Sequence, residues 1–310
     1  MRHVITVTGT INPDQIQIAS MHEHIPLDIA GVHEKDAFDF SVAELTRAHS
    51  LGLDTVVEVS PRRDAARIRE IAELTGINVI VSTGFYAYTE DEKQFSEEQF
   101  YAHMMRELQE GIGETGIQPG VIKIAARAPA LESYEVNAFR AAARAQIACG
   151  VSICTHAVTG CAAQQIVLEQ AGANLEKVYF SHVEATQGWE GRNVEQEIEY
   201  LLAVVRRGST LSYNNFGNVA HTSAETLLKI IKAMIMEGMS SRQVCTMDTI
   251  WHYDTGKRKL LWEDINPDGP NRTYSYLLTH VFPWLRNAQI SDDHIREMTR
   301  DNPRRLLSVG

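Results

Sequence analysis

Two histidines separated by a single residue, His22 and His24, are the first feature of this sequence that could support chemistry. They end an apolar segment that reads IQIASMHEH. Successive side chains of a β-strand point to opposite faces, so the two imidazoles would share one face while Glu23 points away. Two imidazoles on one face can bind the same metal ion.

Other side chains that could bind metal follow further short apolar segments. Lys123 lies within GVIKIAA, His156 ends VSICTH, His182 follows VYFS and Asp248 follows VCTM. Each has an ordinary explanation when taken alone, such as a hydrogen-bonded structural histidine or an aspartate that caps a helix. Their joint occurrence at the ends of apolar segments favours a metal site.

Lys123 is flanked by Ile122 and Ile124, so its ammonium group would lose its hydration inside a folded domain. A salt bridge to Asp248 or Glu58 is one explanation. The alternative is that burial lowers the pKa of the amine toward neutrality, so that it can add CO2 and form a carbamate. A carbamate is an anion with two oxygens, able to bridge two metal ions about 3.5 to 4 Å apart.

Eight apolar, β-branched segments predict the strands that would position these groups. They are IQIASMHEH, TVVEVS, NVIVSTGF, GVIKIAA, VSICTHA, VYFSHV, TLSYNNF and VCTMDT. Segments with helical spacing separate most of them, among them Ala65 to Leu74, Val136 to Cys149 and Leu227 to Met236. Strands that are apolar on both faces and alternate with helices predict the α/β class and a (β/α)8 TIM barrel.

A short hairpin is predicted before the first barrel strand, in ITVTGTINPDQIQIA, with its turn at Asn12, Pro13 and Asp14. An open doubly wound sheet is the alternative architecture, but no GxGxxG motif follows a predicted strand. Reactive groups of a TIM barrel collect at the carboxyl ends of its strands, which is where the candidate ligands stand.

Composition favours one soluble globular domain over residues 1–310, since no linker or low-complexity tract divides the chain. A net charge of -11 disfavours nucleic acid as a partner and leaves a small-molecule substrate. Membrane association is not expected, because no apolar segment approaches the ~18 residues of a membrane span. The N-terminus lacks the apolar core of a signal peptide, and the four scattered cysteines suit reduced thiols, so a cytoplasmic location is expected.

The sequence resembles the phosphotriesterase family of the amidohydrolase superfamily essentially from end to end. The segments that carry the resemblance are MHEH, TGINVIVSTGFY, GVIKIA, THA, SHVEAT, MD and DNPRRLL. It implies two metal sites, the first built from His22, His24 and Asp248 and the second from His156 and His182. It also implies that carbamylated Lys123 bridges two divalent ions, with zinc expected and manganese, cobalt or iron as alternatives. Family members are often homodimers, so a homodimer is expected.

The implied reaction is hydrolysis by an activated water. Two cations would strongly lower the pKa of a shared water, and the resulting hydroxide would attack the substrate. Asp248 would receive its proton, which makes Asp248 and Lys123 the predicted catalytic residues. No GxSxG motif is present, so an acyl-enzyme mechanism is disfavoured.

The predicted substrate is a carboxylic ester or a lactone, with a sugar-type lactone preferred. Phosphotriester or phosphoester hydrolysis at the same site is the first alternative, and an inactive barrel used for binding is the second. Many family lactonases carry Asp-Arg after the seventh strand, whereas this chain has Asn214 and Asn215 there. Glu184 stands where the family often has Asp, which puts the usual proton relay from Asp248 in question.

Several residues are predicted to contact the substrate. Tyr86 and Tyr88 match family positions that pack on it, although they could be ordinary loop aromatics. Tyr213, Asn214 and Asn215 at the mouth of the barrel would suit a hydroxylated ring. In the long segment from Thr249 to Pro270, Trp251 and His252 are expected to face the substrate from a lid.

Overall fold

A computed structural model describes residues 2–25, 34–61, 63–186, 191–218, 222–249, 252–254, 259–261 and 272–310. Its centre is a parallel sheet in which each strand is hydrogen-bonded to the next one along the chain. The eight strands are β3 (Ala19–Glu23), β4 (Thr55–Glu58), β5 (Asn78–Gly84), β6 (Val121–Ala125), β7 (Ser152–His156), β8 (Val178–Ser181), β9 (Thr210–Tyr213) and β10 (Gln243–Cys245).

A helix lies in each of the seven connections between these strands. The helices are α1 (Glu34–Ser50), α2 (Ala65–Thr75), α3 (Glu97–Glu110), α4 (Ser133–Cys149), α5 (Ala162–Gln170), α6 (Val194–Arg206) and α7 (Ala224–Met236). The predicted (β/α)8 barrel is therefore confirmed, with each of the eight predicted segments supplying one strand. We call the carboxyl ends of β3 to β10, with the loops that follow them, the mouth of the barrel.

The N-terminal hairpin pairs β1 (Val4–Thr6) with β2 (Gly9–Ile11). Its predicted turn at Asn12, Pro13 and Asp14 is wrong, because the chain reverses at Val7 and Thr8 instead. Asn12 caps a 3-10 turn, since its side chain accepts a hydrogen bond of 2.9 Å from the Asp14 backbone N–H and Pro13 follows it as the first helical residue. The Asn-Pro-Asp motif therefore starts a helical turn, not a hairpin.

The interior of the barrel holds side chains from opposite strands in one apolar cluster. Met21, Val57, Tyr179 and Val244 belong to it, although they come from four different strands. Leu306 from the C-terminal helix also contacts this cluster. The other buried apolar residues lie between the strands and the surrounding helices, so the barrel is a filled core.

Two further strands and three α-helices are described after β10. They are β11 (His252–Asp254), β12 (Lys259–Leu261), α8 (Phe282–Asn287), α9 (Asp292–Arg296) and α10 (Asn302–Leu307), with β11 and β12 forming an antiparallel pair. No helix within the described ranges has the length and apolarity needed to cross a membrane.

The barrel closes between β3 and the residues that follow β10 through polar side chains. Thr246 Oγ1 accepts a hydrogen bond from the His22 backbone N–H and donates one to the His22 carbonyl, both 2.9 Å long. The fully buried Glu23 carboxylate accepts hydrogen bonds from the backbone N–H groups of Met247 (3.0 Å) and Thr249 (2.9 Å). The acid between the two histidines therefore holds the chain on both sides of Asp248.

Replacing Glu23 should weaken this closure. In Glu23→Gln an amide NH2 takes the place of one acceptor oxygen, which leaves a buried backbone N–H unsatisfied. We expect the free energy of unfolding in urea to fall by about 1 to 3 kcal/mol. Glu110→Gln makes the same change at an exposed position and should leave it nearly unchanged. Equal stability of the two variants would contradict a closing role for Glu23.

Candidate metal centre

The two histidines of the HEH segment converge on Asp248. Oδ1 of Asp248 lies 3.5 Å from Nε2 of His22 and 3.3 Å from Nε2 of His24. The potential ligand atoms of the three residues all lie within 4.8 Å of one another. The register between β3 and β4 shifts between Ser20 and Glu23, and such irregularities commonly redirect side chains beside active sites.

His156 and His182 place two further imidazoles beside this group. The His182 ring centre lies 4.8 Å from that of His22 and 4.7 Å from that of His156. His182 Nδ1 is 3.7 Å from Oδ2 of Asp248. The two oxygens of Asp248 therefore approach different imidazoles, with Oδ1 near the HEH pair and Oδ2 near His182.

Lys123 lies beneath the imidazoles and is 1% exposed. Its Nζ is 3.7 Å from Cys154 Sγ, which in turn is 3.8 Å from His22 Nδ1. The salt bridge to Asp248 or Glu58 considered from the sequence is wrong, because Lys123 forms no ion pair with a carboxylate among the described residues. Burial lowers the pKa of the Lys123 amine, which increases the neutral fraction that reacts with CO2.

Burial also keeps two of the imidazoles neutral. It lowers the pKa of His22 and of His156 well below the usual value, and the positive charge of Lys123 acts in the same direction. A neutral imidazole is the form that binds metal. Burial alone would raise the pKa of Asp248, but the His182 and His24 imidazoles hold it well below its ordinary range, so this carboxyl is ionised.

Two residues of the site have a left-handed backbone that side chains other than glycine rarely adopt. His182 has φ of 64° and Asp248 has φ of 50°, and Gln289 is the third such non-glycine residue in the described ranges. This conformation costs about 1 kcal/mol or more per residue and concentrates at functional sites. Hydrogen bonds fix both residues: the His182 N–H donates to Asn214 Oδ1 (3.1 Å), and the Asp248 N–H donates to the His22 carbonyl (3.0 Å).

The ring orientations of the HEH pair are set by serine hydroxyls. Ser181 Oγ lies 2.7 Å from Nδ1 of His22, and Ser60 Oγ is hydrogen-bonded to Nδ1 of His24. Glu58 accepts hydrogen bonds from the Ser60 N–H and hydroxyl, each 3.0 Å long. With Nδ1 used in this way, Nε2 of each ring is the nitrogen available to a metal.

Glu184 fixes the backbone at the carboxyl ends of β8 and β9 by accepting hydrogen bonds. It is fully buried, and its Oε1 accepts hydrogen bonds from the backbone N–H groups of Asn214 (2.6 Å) and Asn215 (2.5 Å). Burial raises the pKa of Glu184 to about 7. No hydrogen bond joins it to Asp248 within the described part of the chain, so Glu184 ties two loops together in this structure.

The predicted substrate residues are placed very differently from one another. Tyr86 is exposed, and its ring centre lies 5.1 Å from that of His156 in an edge-to-face arrangement. The Tyr88 hydroxyl instead donates to the Ala125 carbonyl (3.0 Å), so its ring supports the loop. The prediction that Tyr213 lines the mouth is wrong, because this side chain is fully buried and its hydroxyl donates to Gln243 Oε1 (2.8 Å).

Asn214, Asn215 and the predicted lid are the remaining predicted substrate contacts. Asn214 and Asn215 are both buried, and Asn214 holds the His182 backbone rather than lining an open surface. Trp251 lies outside the described residues, as does most of the predicted lid. His252 begins β11, but only its backbone is described.

Sequence reasoning missed the groups that hold the ligands. Arg272 is fully buried and donates to the carbonyls of Phe216 (2.6 Å), Asn214 (3.0 Å) and Met247 (2.7 Å), which joins the loops after β9 and β10. No periodic pattern surrounds Arg272, so the sequence offers no signal for it. Gly84 is a signal that the sequence did offer for a close backbone approach, because a Cβ there would lie 2.0 Å from the Lys123 carbonyl oxygen.

The donor set fits a pair of divalent cations. Four imidazoles, an ionised carboxylate and a buried amine without an ion-pair partner among the described residues meet at one end of the barrel. Nitrogen and carboxylate donors of this kind suit zinc and neighbouring transition metals. A buried amine also needs an explanation, and conversion to a bridging carbamate would supply one.

Comparison with known proteins agrees with this geometry. The family model described as the phosphotriesterase family matches residues 2–307. The chain is 26% identical to the phosphotriesterase homology protein of Mycobacterium tuberculosis, with 99% of this chain and 98% of the relative aligned. It is 24% identical to the aryldialkylphosphatase of Saccharolobus solfataricus, over 99% and 100% of the two chains.

A solved structure from the molecular engineering of organophosphate hydrolysis activity on a weak promiscuous lactonase template matches with a TM-score of 0.84. It is 26% identical, and the alignment covers 98% of this chain and 99% of that one. The family match over nearly the whole length and the convergence of the six predicted ligands lead to one conclusion: this chain belongs to the phosphotriesterase family of hydrolases.

Proposed function

We propose that this protein is a binuclear metal-dependent hydrolase of carboxylic esters or lactones. The observation that carries the proposal is the convergence of His22, His24 and His182 on the two oxygens of Asp248. His156 lies beside His182, and the buried Lys123 has no ion-pair partner among the described residues. This arrangement has no purpose in packing, because it buries ionisable groups and strained backbone in one place.

The ligands divide between two positions. His22, His24 and Asp248 would hold one ion, and His156 and His182 the other, with the CO2 adduct of Lys123 between them. Two divalent cations bound there supply Lewis acidity and lower the pKa of a coordinated water. Zinc is proposed, with manganese, cobalt or iron as alternatives.

The residues of the chain then handle protons and orientation. Asp248 is ionised and lies at the centre of the imidazoles, so it is placed to accept a proton from the attacking water and pass it to the leaving group. The hydrogen bonds to Ser181 and Ser60 fix the His22 and His24 rings, so the ligand geometry exists before substrate binds.

A lactone with polar substituents is the substrate we favour. Tyr86 offers an exposed aromatic face next to His156, on which a sugar-type ring could stack. A structurally similar protein is described as a lactonase template, which also supports this choice.

Phosphotriester hydrolysis is the second candidate, because one relative is an aryldialkylphosphatase and the same ligands would serve. The test is to assay metal-loaded protein on sugar-acid γ- and δ-lactones, 4-nitrophenyl acetate and diethyl 4-nitrophenyl phosphate. We expect kcat/KM for the best lactone to exceed that for the phosphotriester at least tenfold, and chelator treatment to abolish turnover. The opposite ranking would favour the phosphotriesterase, and no turnover with two ions bound would indicate an inactive barrel.

Removing the Lys123 amine should abolish most activity. Lys123→Ala is expected to lower kcat by about 100-fold or more and to reduce bound metal, because the bridge between the ions is lost. Bicarbonate with a short carboxylate should restore part of the activity. Lys123→Met, which fills the space without an amine, should behave as the alanine variant does. Wild-type activity in either variant would refute the bridging role.

Removing one imidazole should release one metal ion. His22→Asn is expected to bring the metal content toward one ion per chain, measured by elemental analysis of purified protein. His294→Asn makes the same change at a helix N-terminus far along the chain and should retain two ions. Two tightly bound ions in His22→Asn would contradict its assignment as a ligand.

A further inference from the structure

Arg127 is an exposed cation at the mouth of the barrel, two residues beyond the end of β6, the strand that carries Lys123. Its guanidinium carbon lies 5.4 Å from the centre of the Tyr86 ring. The guanidinium forms no ion pair with a carboxylate in the part of the chain that the structure describes. An exposed arginine in this position keeps its hydrogen-bonding capacity for a ligand.

Tyr86 connects Arg127 to the candidate metal ligands. The centre of the same Tyr86 ring lies 5.1 Å from the His156 ring centre and 5.9 Å from Lys123 Nζ. Arg127 and two of the candidate metal ligands, His156 and Lys123, therefore lie around the same aromatic ring.

Three other cations around the mouth already have ion-pair or hydrogen-bond partners. Arg63 pairs with Glu58 (2.8 Å), Lys93 pairs with Glu90 (2.6 Å), and Arg272 donates to three backbone carbonyls. Arg127 differs from all three, since its guanidinium lies over the Tyr86 ring and forms no ion pair among the described residues. Its charge is thus available to a molecule that enters the barrel.

The loop that carries Arg127 is fixed at its backbone. The Arg127 N–H donates to Oε1 of Glu135, and the Glu132 N–H donates to Oε2 of the same carboxylate, with lengths of 2.9 and 2.8 Å. Glu135 is buried in the first turn of α4. Because these bonds are formed before any ligand arrives, less entropy is lost when the guanidinium binds one.

The sign of the charge is also informative. The protein carries a net charge of -11, whereas Arg127 adds a positive charge at the mouth that no carboxylate of the described residues pairs with. A positive group at the entrance of a cleft attracts anionic ligands and orients them. An arginine at this place can also donate to a neutral oxygen, but a hydrogen bond to an anion is roughly twice as strong.

We propose that Arg127 binds an anionic group of the substrate, a carboxylate or a phosphate, on the part of the molecule remote from the bond that is cleaved. The planar guanidinium can make two parallel hydrogen bonds to either group. The inference rests on the proposed hydrolase function and narrows its substrate class to acidic lactones or esters. Arg127 is then a specificity-determining residue, and Tyr86 holds it over the site.

The kinetic test uses three lactones that share one ring: γ-(hydroxymethyl)-γ-butyrolactone, its phosphate monoester, and the corresponding γ-carboxylate. Metal-loaded wild type should prefer at least one anionic lactone to the neutral one. Arg127→Gln should lower kcat/KM for that anionic lactone about tenfold, mainly through KM, because one charge-assisted pair is lost. Activity on the neutral lactone should change less than twofold.

Two further variants sharpen the kinetic result. Arg127→Lys keeps the charge but not the planar guanidinium, so its kcat/KM for the anionic lactone should lie between those of Arg127→Gln and wild type. Arg140→Gln removes the same charge from an exposed position of α4 and should change none of the three activities. The proposal is overturned if Arg127→Gln weakens all three lactones equally, or weakens no anionic one.

A binding experiment separates this inference from the proposed function. If the metal-loaded wild type hydrolyses no lactone or ester, the hydrolase proposal fails on its own. Calorimetry with tetrahydrofurfuryl phosphate and tetrahydrofuran-2-carboxylate, beside neutral tetrahydrofurfuryl alcohol, still decides the role of Arg127. For at least one anion, the Kd of Arg127→Gln should be about tenfold higher than that of Arg140→Gln. Any contact of the anion with metal is the same in both variants. Equal affinities of the two variants for both anions would refute the role.

Discussion

The structure depends on one electrostatic problem, which is the burial of Lys123 and Asp248 at the same end of a closed barrel without pairing them. A buried amine and a buried carboxylate normally form an ion pair, because each is costly alone. Here the carboxylate lies among imidazoles, while the amine contacts a thiol. Bound cations beside the carboxylate and a CO2 adduct of the amine, as proposed above, would make this arrangement favourable.

Three buried glutamates hold this arrangement, and each does so by accepting hydrogen bonds from backbone N–H groups. Glu23 binds the chain on both sides of Asp248, Glu58 binds Ser60 and so orients His24, and Glu184 binds Asn214, which in turn holds His182. A carboxylate suits this task because it accepts several hydrogen bonds at once. The three carboxylates also lie around the candidate cation site. Where they are ionised, the groups that fix the geometry would therefore also favour a bound cation.

The sequence was sufficient for the strands, and it was insufficient for the contacts that hold the six candidate ligands, whose metal binding stays a prediction. Strand segments are visible because burial on both faces requires continuous apolar residues, and the candidate ligands are visible because they are polar residues within those segments or at their ends. The hairpin turn was misplaced because Asn-Pro-Asp starts a helical turn as readily as a hairpin. Tyr213 was misplaced because a residue at a strand end can face either the mouth or the core, and its partner Gln243 is 30 residues away.

Long-range polar contacts explain the remaining gap. Glu23, Arg272 and Glu184 act on backbone groups that lie far away in the chain, and no local pattern encodes such a pairing. The same contacts divide the mouth into two parts with different physical properties. The ligands rest on buried networks that a single substitution would disturb together, whereas Tyr86 and Arg127 lie exposed on loops that are fixed by separate bonds. A change of Tyr86 or Arg127 would therefore leave the hydrogen bonds of the candidate ligands in place, because none of those in the described part of the chain passes through either side chain.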